Sequence, residues 1–101
     1  AGWTLEATDH LVLHQANLFV VSSIARKCGV PEAKSPMNLV EQFGNQSSAS
    51  IPAAMAHACA EALQGSRRRL VVCGFGVGFS WGAAALEAGP MVVAPTLAFP
   101  R

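Results

Sequence analysis

The clearest pattern in the chain is a short apolar run that stops on polar residues. His10 to His14 carries Leu11, Val12 and Leu13 without interruption, the continuous apolar middle of a strand buried on both faces of a parallel sheet. Asn17 then offers an N-cap. Residues 18–28 follow with Leu18, Val21, Ala25 and Cys28 on one helical face, and Gly29 and Pro31 end the helix. Before the strand, Thr4 caps one short turn with Glu6 near its positive end. Residues 37–43, MNLVEQF, read as a second strand, and Gly44-Asn45-Gln46 as a turn. Ser47 to Gln64 reads as one long helix with Pro52 in its first turn and Gly65 after its end. The serines at 47, 48 and 50 fit its capping. Its interior, AAMAHACAEAL, is alanine on nearly every side, as suits a helix buried between layers. Arg69 to Gly74 is a third strand. The glycine-rich GFGVGFSWG follows, and Phe79 to Leu86 returns as a fourth strand in a hairpin with the third. The order β-α-β-α-β-β places the chain in the α/β class. Residues 89–101, with three prolines, form an irregular tail.

Composition sharpens this picture. The 101 residues are 51% apolar and 13% charged, about half the charge of an ordinary domain. Such a chain buries its elements on both sides, as one layered domain or part of a larger one. A net charge of +1 gives no field to draw nucleic acid. The one basic run, residues 67–69, reads as a solvated loop before a strand. No apolar run approaches the roughly 20 residues that span a bilayer, and no signal or transit pattern is visible. The chain opens on Ala-Gly-Trp without a methionine, as an internal stretch of a longer polypeptide would. Cys28, Cys59 and Cys73 match neither a disulfide framework nor a zinc pattern, so a reducing cytoplasm is the simplest location.

Candidate chemistry is sparse. His10 begins a strand and His57 lies inside a helix, where a histidine satisfied by its surroundings is the default. His14 stands at the C-terminal end of a strand just before a helix, the edge at which open α/β sheets bind ligands. Asn45 stands at a similar edge, although a turn asparagine with unusual backbone angles is the alternative. None of the cysteines suits a nucleophile. Cys28 is at a helix C-terminus, Cys59 is mid-helix and Cys73 is in an apolar strand. No G-x-S-x-G elbow is present. The glycine turn has G-x-G-x-G and leads into a strand, which argues against a dinucleotide cradle and for a tight turn bringing N–H groups to a site.

Taken together, HQAN (14–17), GNQSSASIP (44–52) and GFGVGFSWGAA (74–84) resemble, in order and spacing, the C-terminal portion of β-ketoacyl-acyl-carrier-protein synthase III, a condensing enzyme of the thiolase superfamily. The likeness runs from about Gly2 to Leu86. It implies a layered αβαβα thiolase-like fold of two similar halves, with residues 1–101 supplying most of the second. It implies a catalytic cysteine in the first half, a histidine at His14 and an asparagine at Asn45, with the backbone around Val77 as a second oxyanion contact. The substrates would be acyl-CoA and malonyl-acyl-carrier-protein, with no metal or cofactor. The partners would be the acyl carrier protein, docked by Arg26 and Lys27, the N-terminal half, and a second copy in a homodimer; nucleic acid and membrane are not expected. The chain departs from the family's common form in three places. Val77 replaces a glycine, Gln46 follows Asn45 where threonine is frequent, and Phe19 stands where arginine often does. A non-catalytic partner subunit of the same fold, or an interaction module, is the alternative reading.

Overall fold

The computed structural model describes residues 2–37, 39–76, 78–95 and 97. Among them are strand β1 (His10–Leu13), helix α1 (Leu18–Lys27), the short helix α2 (Leu39–Phe43), helices α3 (Ser50–Ala58) and α4 (Ala60–Gly65), and strands β2 (Arg68–Gly76) and β3 (Ser80–Ala88). Single 3₁₀ turns occupy Glu32–Lys34 and Ser47–Ala49. The sheet order is β1-β2-β3. β1 runs parallel to β2 with His10 opposite Leu70 and Leu13 opposite Cys73. β2 and β3 form the expected antiparallel hairpin, from Arg68 opposite Ala88 to Gly76 opposite Ser80.

The unbroken apolar run of β1 is explained by what lies on its two faces. Successive side chains on a strand point to opposite sides. Leu11 and Leu13 pack with Val21 and Ala25 of α1. Val12 packs on the other side with Leu70, Ala54 and Leu63. Val12, Leu13, Val21, Ala54 and Leu70 are all essentially inaccessible. A three-strand sheet with helices on both faces is the result, a mixed α/β layer arrangement. α1 begins where Asn17 accepts a hydrogen bond from the Val20 N–H at 2.9 Å. It ends before Gly29, whose φ of 73° is the left-handed conformation that glycine adopts freely.

Two elements differ from the sequence reading. The second strand expected over 37–43 is not found among the described residues; Leu39–Phe43 is helical. As a strand, the segment would put Glu41 on the same face as Leu39 and Phe43. As a helix, it turns Glu41 into solvent while Leu39 is buried and Phe43 packs against the same cluster. Five residues carry too little period for the sequence to separate the two. The long helix over 47–64 is divided: a 3₁₀ turn, then α3, then a break at Cys59 (φ −112°, ψ 8°), then α4.

The arginine run is also more than a solvated loop. Arg68 and Arg69 open β2, and Arg69 N–H donates to Asp9 Oδ2 at 2.8 Å while Asp9 N–H donates to the Arg69 carbonyl at 2.9 Å. Glu87 lies 3.5 Å from Arg67 and 3.6 Å from Arg69, and the Arg69 guanidinium sits over the Trp3 ring. Such half-exposed ion pairs contribute little each, about 0–1 kcal/mol. Together with the Arg68–Asp9 pair they give each arginine of the run an acidic partner from another segment of the chain. Residues 89–95 and 97 belong to no helix or strand but are anchored: Met91 N–H donates to the Leu63 carbonyl and Gln64 Nε2 to the Val93 carbonyl, both at 2.9 Å.

Because Asn17 satisfies one of the open N–H groups of α1, Asn17→Ala is expected to destabilise the fold by about 1 kcal/mol. A shift in the urea midpoint with an unchanged slope would show it; an unchanged midpoint would remove the cap from the account.

Candidate active site

The polar residues at the end of β1 have three different roles. His14 extends the ladder by one bond, its N–H donating to the Cys73 carbonyl at 2.9 Å. Its half-buried ring meets Phe75 edge-on at 5.2 Å, and its Nδ1 lies 2.7 Å from Ser50 Oγ. Gln15 points inward and is 3% exposed. Its Nε2 donates to the Leu13 carbonyl at 2.8 Å and to the Pro36 carbonyl at 3.2 Å, tying the strand end to the following loop. Asn17 is the exposed cap of α1. Only His14 of the three faces an opening.

That opening is a cavity of about 610 Å³ lined by His14, Asn45, Ser47, Ser48 and Ile51 on one side and by the β2–β3 hairpin on the other, from Gly74 through Gly76 and from Ser80 through Gly82. Asn45 reaches it from a turn whose backbone is unusual, with Gly44 at φ 72° and Ser47 at φ 56°. The Asn45 side-chain oxygen accepts from the Ser47 N–H at 2.9 Å. That backbone group can only donate, so the amide NH₂ is the end of Asn45 left for the cavity. The hairpin supplies aromatic surface: Trp81 is 71% exposed and Phe79 76% exposed at its tip.

His14 and Asn45 are therefore brought to one cavity. Val77 lies outside the described residues. Arg26 and Lys27 are in the last turn of α1, exposed and away from this cavity. Cations there also complement the negative end of the helix. Arg26 borders a smaller cleft of about 270 Å³ with Ser22, Val30, Glu32 and Met37. None of the three cysteines is among the residues lining the cavity. Cys28 is exposed beyond α1, Cys59 is buried with its thiol pushed up by that burial, and Cys73 is in β2. Among the described residues no cluster of three or more His, Cys, Asp or Glu could hold a metal, and no helix is long and apolar enough to cross a membrane.

The sequence reading missed Ser50. It assigned the serines of 47–50 to helix capping, but neither Ser47–Ala49 nor α3 has a side-chain cap bond. Ser50, 1% exposed, instead accepts from the Gln15 N–H at 2.8 Å and meets His14. Its only local signal was position in a serine-rich helix start, which capping explains equally well.

The fold is an α/β layer whose polar strand edge faces a glycine-rich hairpin, and comparison with known proteins narrows it. Residues 1–88 match the family described as 3-oxoacyl-[acyl-carrier-protein (ACP)] synthase III C terminal; the chain belongs to that family. It is 42% identical over 87 residues to the beta-ketoacyl-[acyl-carrier-protein] synthase III 2 of Deinococcus radiodurans, covering 86% of this chain and 25% of that protein. It is 42% identical over 93 residues to the synthase III 1 of Bacillus cereus, covering 88% and 28%. The crystal structure of a 3-oxoacyl-(acyl-carrier protein) synthase from Burkholderia xenovorans LB400 superposes with a TM-score of 0.88 at 38% identity, covering 94% of this chain and 27% of that one. The synthase III of Pseudomonas aeruginosa PAO1 superposes at 0.79 and 34%, covering 92% and 29%. The fold is thus the thiolase-like α/β fold of the synthase III structures, and the chain spans about a quarter of the length of the relatives it matches.

The two histidines outside the cavity differ, and His10 is not satisfied as the sequence suggested: its Nε2 is buried with no hydrogen-bond partner among the described residues. His57 packs edge-on against Phe43 at 4.9 Å. Burial holds His10 below the ordinary histidine value; Asp9 opposes this, and Arg68 and Lys34 add to it. The folded state therefore binds this proton less readily than the unfolded chain, and stability should be full above the ordinary value of about 6.5 and decline as pH falls below it. Urea unfolding at about pH 7.5 and about pH 5.5 should show the loss, and His10→Gln should shrink it. The same loss in the variant would assign the acid sensitivity to other groups.

Proposed function

We propose that residues 1–101 are the C-terminal part of a 3-oxoacyl-[acyl-carrier-protein] synthase III, an acyltransferase that condenses an acyl-CoA primer with malonyl-acyl-carrier-protein in fatty acid or related biosynthesis. The observation that carries this reading is that His14 and Asn45, 31 residues apart in the chain, line one cavity with the amide NH₂ of Asn45 uncommitted. In the proposed reaction acyl-CoA first acylates a cysteine of the N-terminal part, releasing CoA. Malonyl-carrier-protein then loses CO₂ and leaves a thioester enolate. The enolate carbon attacks the acyl carbonyl, expels the cysteine thiolate and yields the 3-ketoacyl thioester. Negative charge grows on the thioester oxygen as CO₂ departs. Two neutral N–H donors held in place, one imidazole and one amide, stabilise that charge without solvent rearrangement. The backbone around Val77 is proposed as the donor for the tetrahedral intermediate of the second step. The site residues need no metal or cofactor for any of these steps. The N-terminal part completes the fold and the site, and the whole enzyme is proposed to be a cytoplasmic homodimer.

Each donor should matter for decarboxylation and much less for cysteine acylation. In the full-length protein His14→Ala and Asn45→Ala should each form acyl-enzyme yet release CO₂ about 10²–10³-fold more slowly. The double variant should be less impaired than the product of the two, since the donors act on one oxygen. His14→Gln should recover part of the loss if hydrogen bonding is the role. Residues 1–101 alone should give no 3-ketoacyl product, because none of their cysteines reaches the cavity. Normal decarboxylation in either folded single variant would take that residue out of the site.

For the carrier, Arg26 and Lys27 are proposed to steer an acidic protein onto α1, where the exposed Phe19 and Leu18 flank the start of the helix. Reversing both charges should raise KM for the malonyl-carrier substrate several-fold at low salt, with the difference fading as salt is added. An unchanged KM at low salt would reduce the pair to an ordinary solvated helix end.

A further inference from the structure

Ser50 Oγ lies 2.7 Å from His14 Nδ1 and 2.8 Å from the Gln15 backbone nitrogen, in a position that is 1% exposed. A hydroxyl has one hydrogen to give and two lone pairs to receive. The Gln15 N–H can only donate, so it occupies one lone pair. Two arrangements remain for the histidine. If His14 Nδ1–H donated to Ser50, the hydroxyl would accept twice and its own hydrogen, in a buried site, would need a third partner. No other acceptor contacts Ser50 Oγ among the described residues, and a buried donor without a partner is destabilising. If Ser50 donates to Nδ1, every group is satisfied. The ring then carries its hydrogen on Nε2, the nitrogen that Ser50 does not engage.

We propose that Ser50 is a positioning residue that holds the neutral His14 ring in the Nε2–H tautomer, so that the imidazole presents a donor rather than a lone pair to the cavity. Its consequence for the reaction rests on the function proposed above, in which a developing oxyanion meets that donor. The opposite tautomer would present a lone pair to a negatively charged oxygen and repel it. Ser50 thereby couples two motifs 36 residues apart: the start of α3 dictates which face of a histidine on the β1 edge is chemically useful. The Gln15 N–H contributes by occupying one of the two lone pairs, so that a second donation, from Nδ1–H, would leave the hydroxyl hydrogen without a partner.

The test reads the tautomer directly. Full-length protein labelled with ¹⁵N-histidine is examined by long-range ¹H–¹⁵N correlation, with His14 assigned by its loss in His14→Gln. Wild type should show the Nε2–H pattern alone. Ser50→Ala should give a mixture or the opposite tautomer, and Ser50→Thr, which keeps the hydroxyl, should restore the wild-type pattern. Decarboxylation kcat should fall roughly tenfold in Ser50→Ala with KM unchanged, less than the 10²–10³ expected on losing an oxyanion donor outright, and should return in Ser50→Thr. A wild-type Nδ1–H pattern, or an unchanged pattern in Ser50→Ala, overturns the proposal. The wild-type spectrum decides even if the alanine variant does not fold. If the tautomer follows Ser50 while decarboxylation ignores His14, the positioning role stands and the proposed reaction falls.

Discussion

The parallel pairing of β1 with β2 is the constraint on which the rest depends. Its register ends with Leu13 opposite Cys73, and one further bond joins His14 N–H to the Cys73 carbonyl. That last bond sets the imidazole level with Gly74, Phe75 and Gly76, where β2 turns toward β3. A strand shifted by one residue would turn His14 to the opposite face and exchange Leu11 and Leu13 for Val12 in the two cores. The register is held because both faces of β1 are buried, with α1 on one side and the α3–α4 layer on the other. A pairing at the start of the strands, Asp9 with Arg69, secures the other end.

On that frame the polar groups are placed by a small number of specific hydrogen bonds. Gln15 closes the strand end onto the loop at Pro36, and Asn17 starts α1. Asn45 is oriented by Ser47, and His14 by Ser50. The last two bonds each engage one end of a side chain that lines the cavity and leave its other end free to face it. Aligned donors in a site with little water is the condition under which a neutral group stabilises developing charge well. In the 101-residue chain that cavity is open, and the hairpin aromatics Phe79 and Trp81 are mostly exposed. Exposed aromatic surface of that kind is what the rest of a synthase III fold would cover in the proposed whole enzyme.

Much of the architecture was legible from local chemistry. An apolar run followed by a cap and a glycine stop determines β1 and α1, because burial on two faces, a side-chain acceptor and a left-handed glycine all act within a few residues. The hairpin follows from glycines between two apolar strands. The position of His14 at a strand edge, and its meeting with Asn45 at one cavity, were likewise readable in the linear chain, the latter through the resemblance of three motifs to the synthase III family. Tertiary contacts decided the rest. Leu39–Phe43 is a helix that buries Leu39 and packs Phe43 against the core while leaving Glu41 in water, and five residues have no period of their own. The arginine run is satisfied by Asp9 and Glu87, about 60 and 20 positions away in the chain. Ser50 reads locally as one more capping serine. Only the folded chain brings its hydroxyl beside a ring 36 residues earlier, because a hydrogen bond between distant segments is set by the packing of α3 against the strand edge and leaves no mark in the pattern of either segment alone.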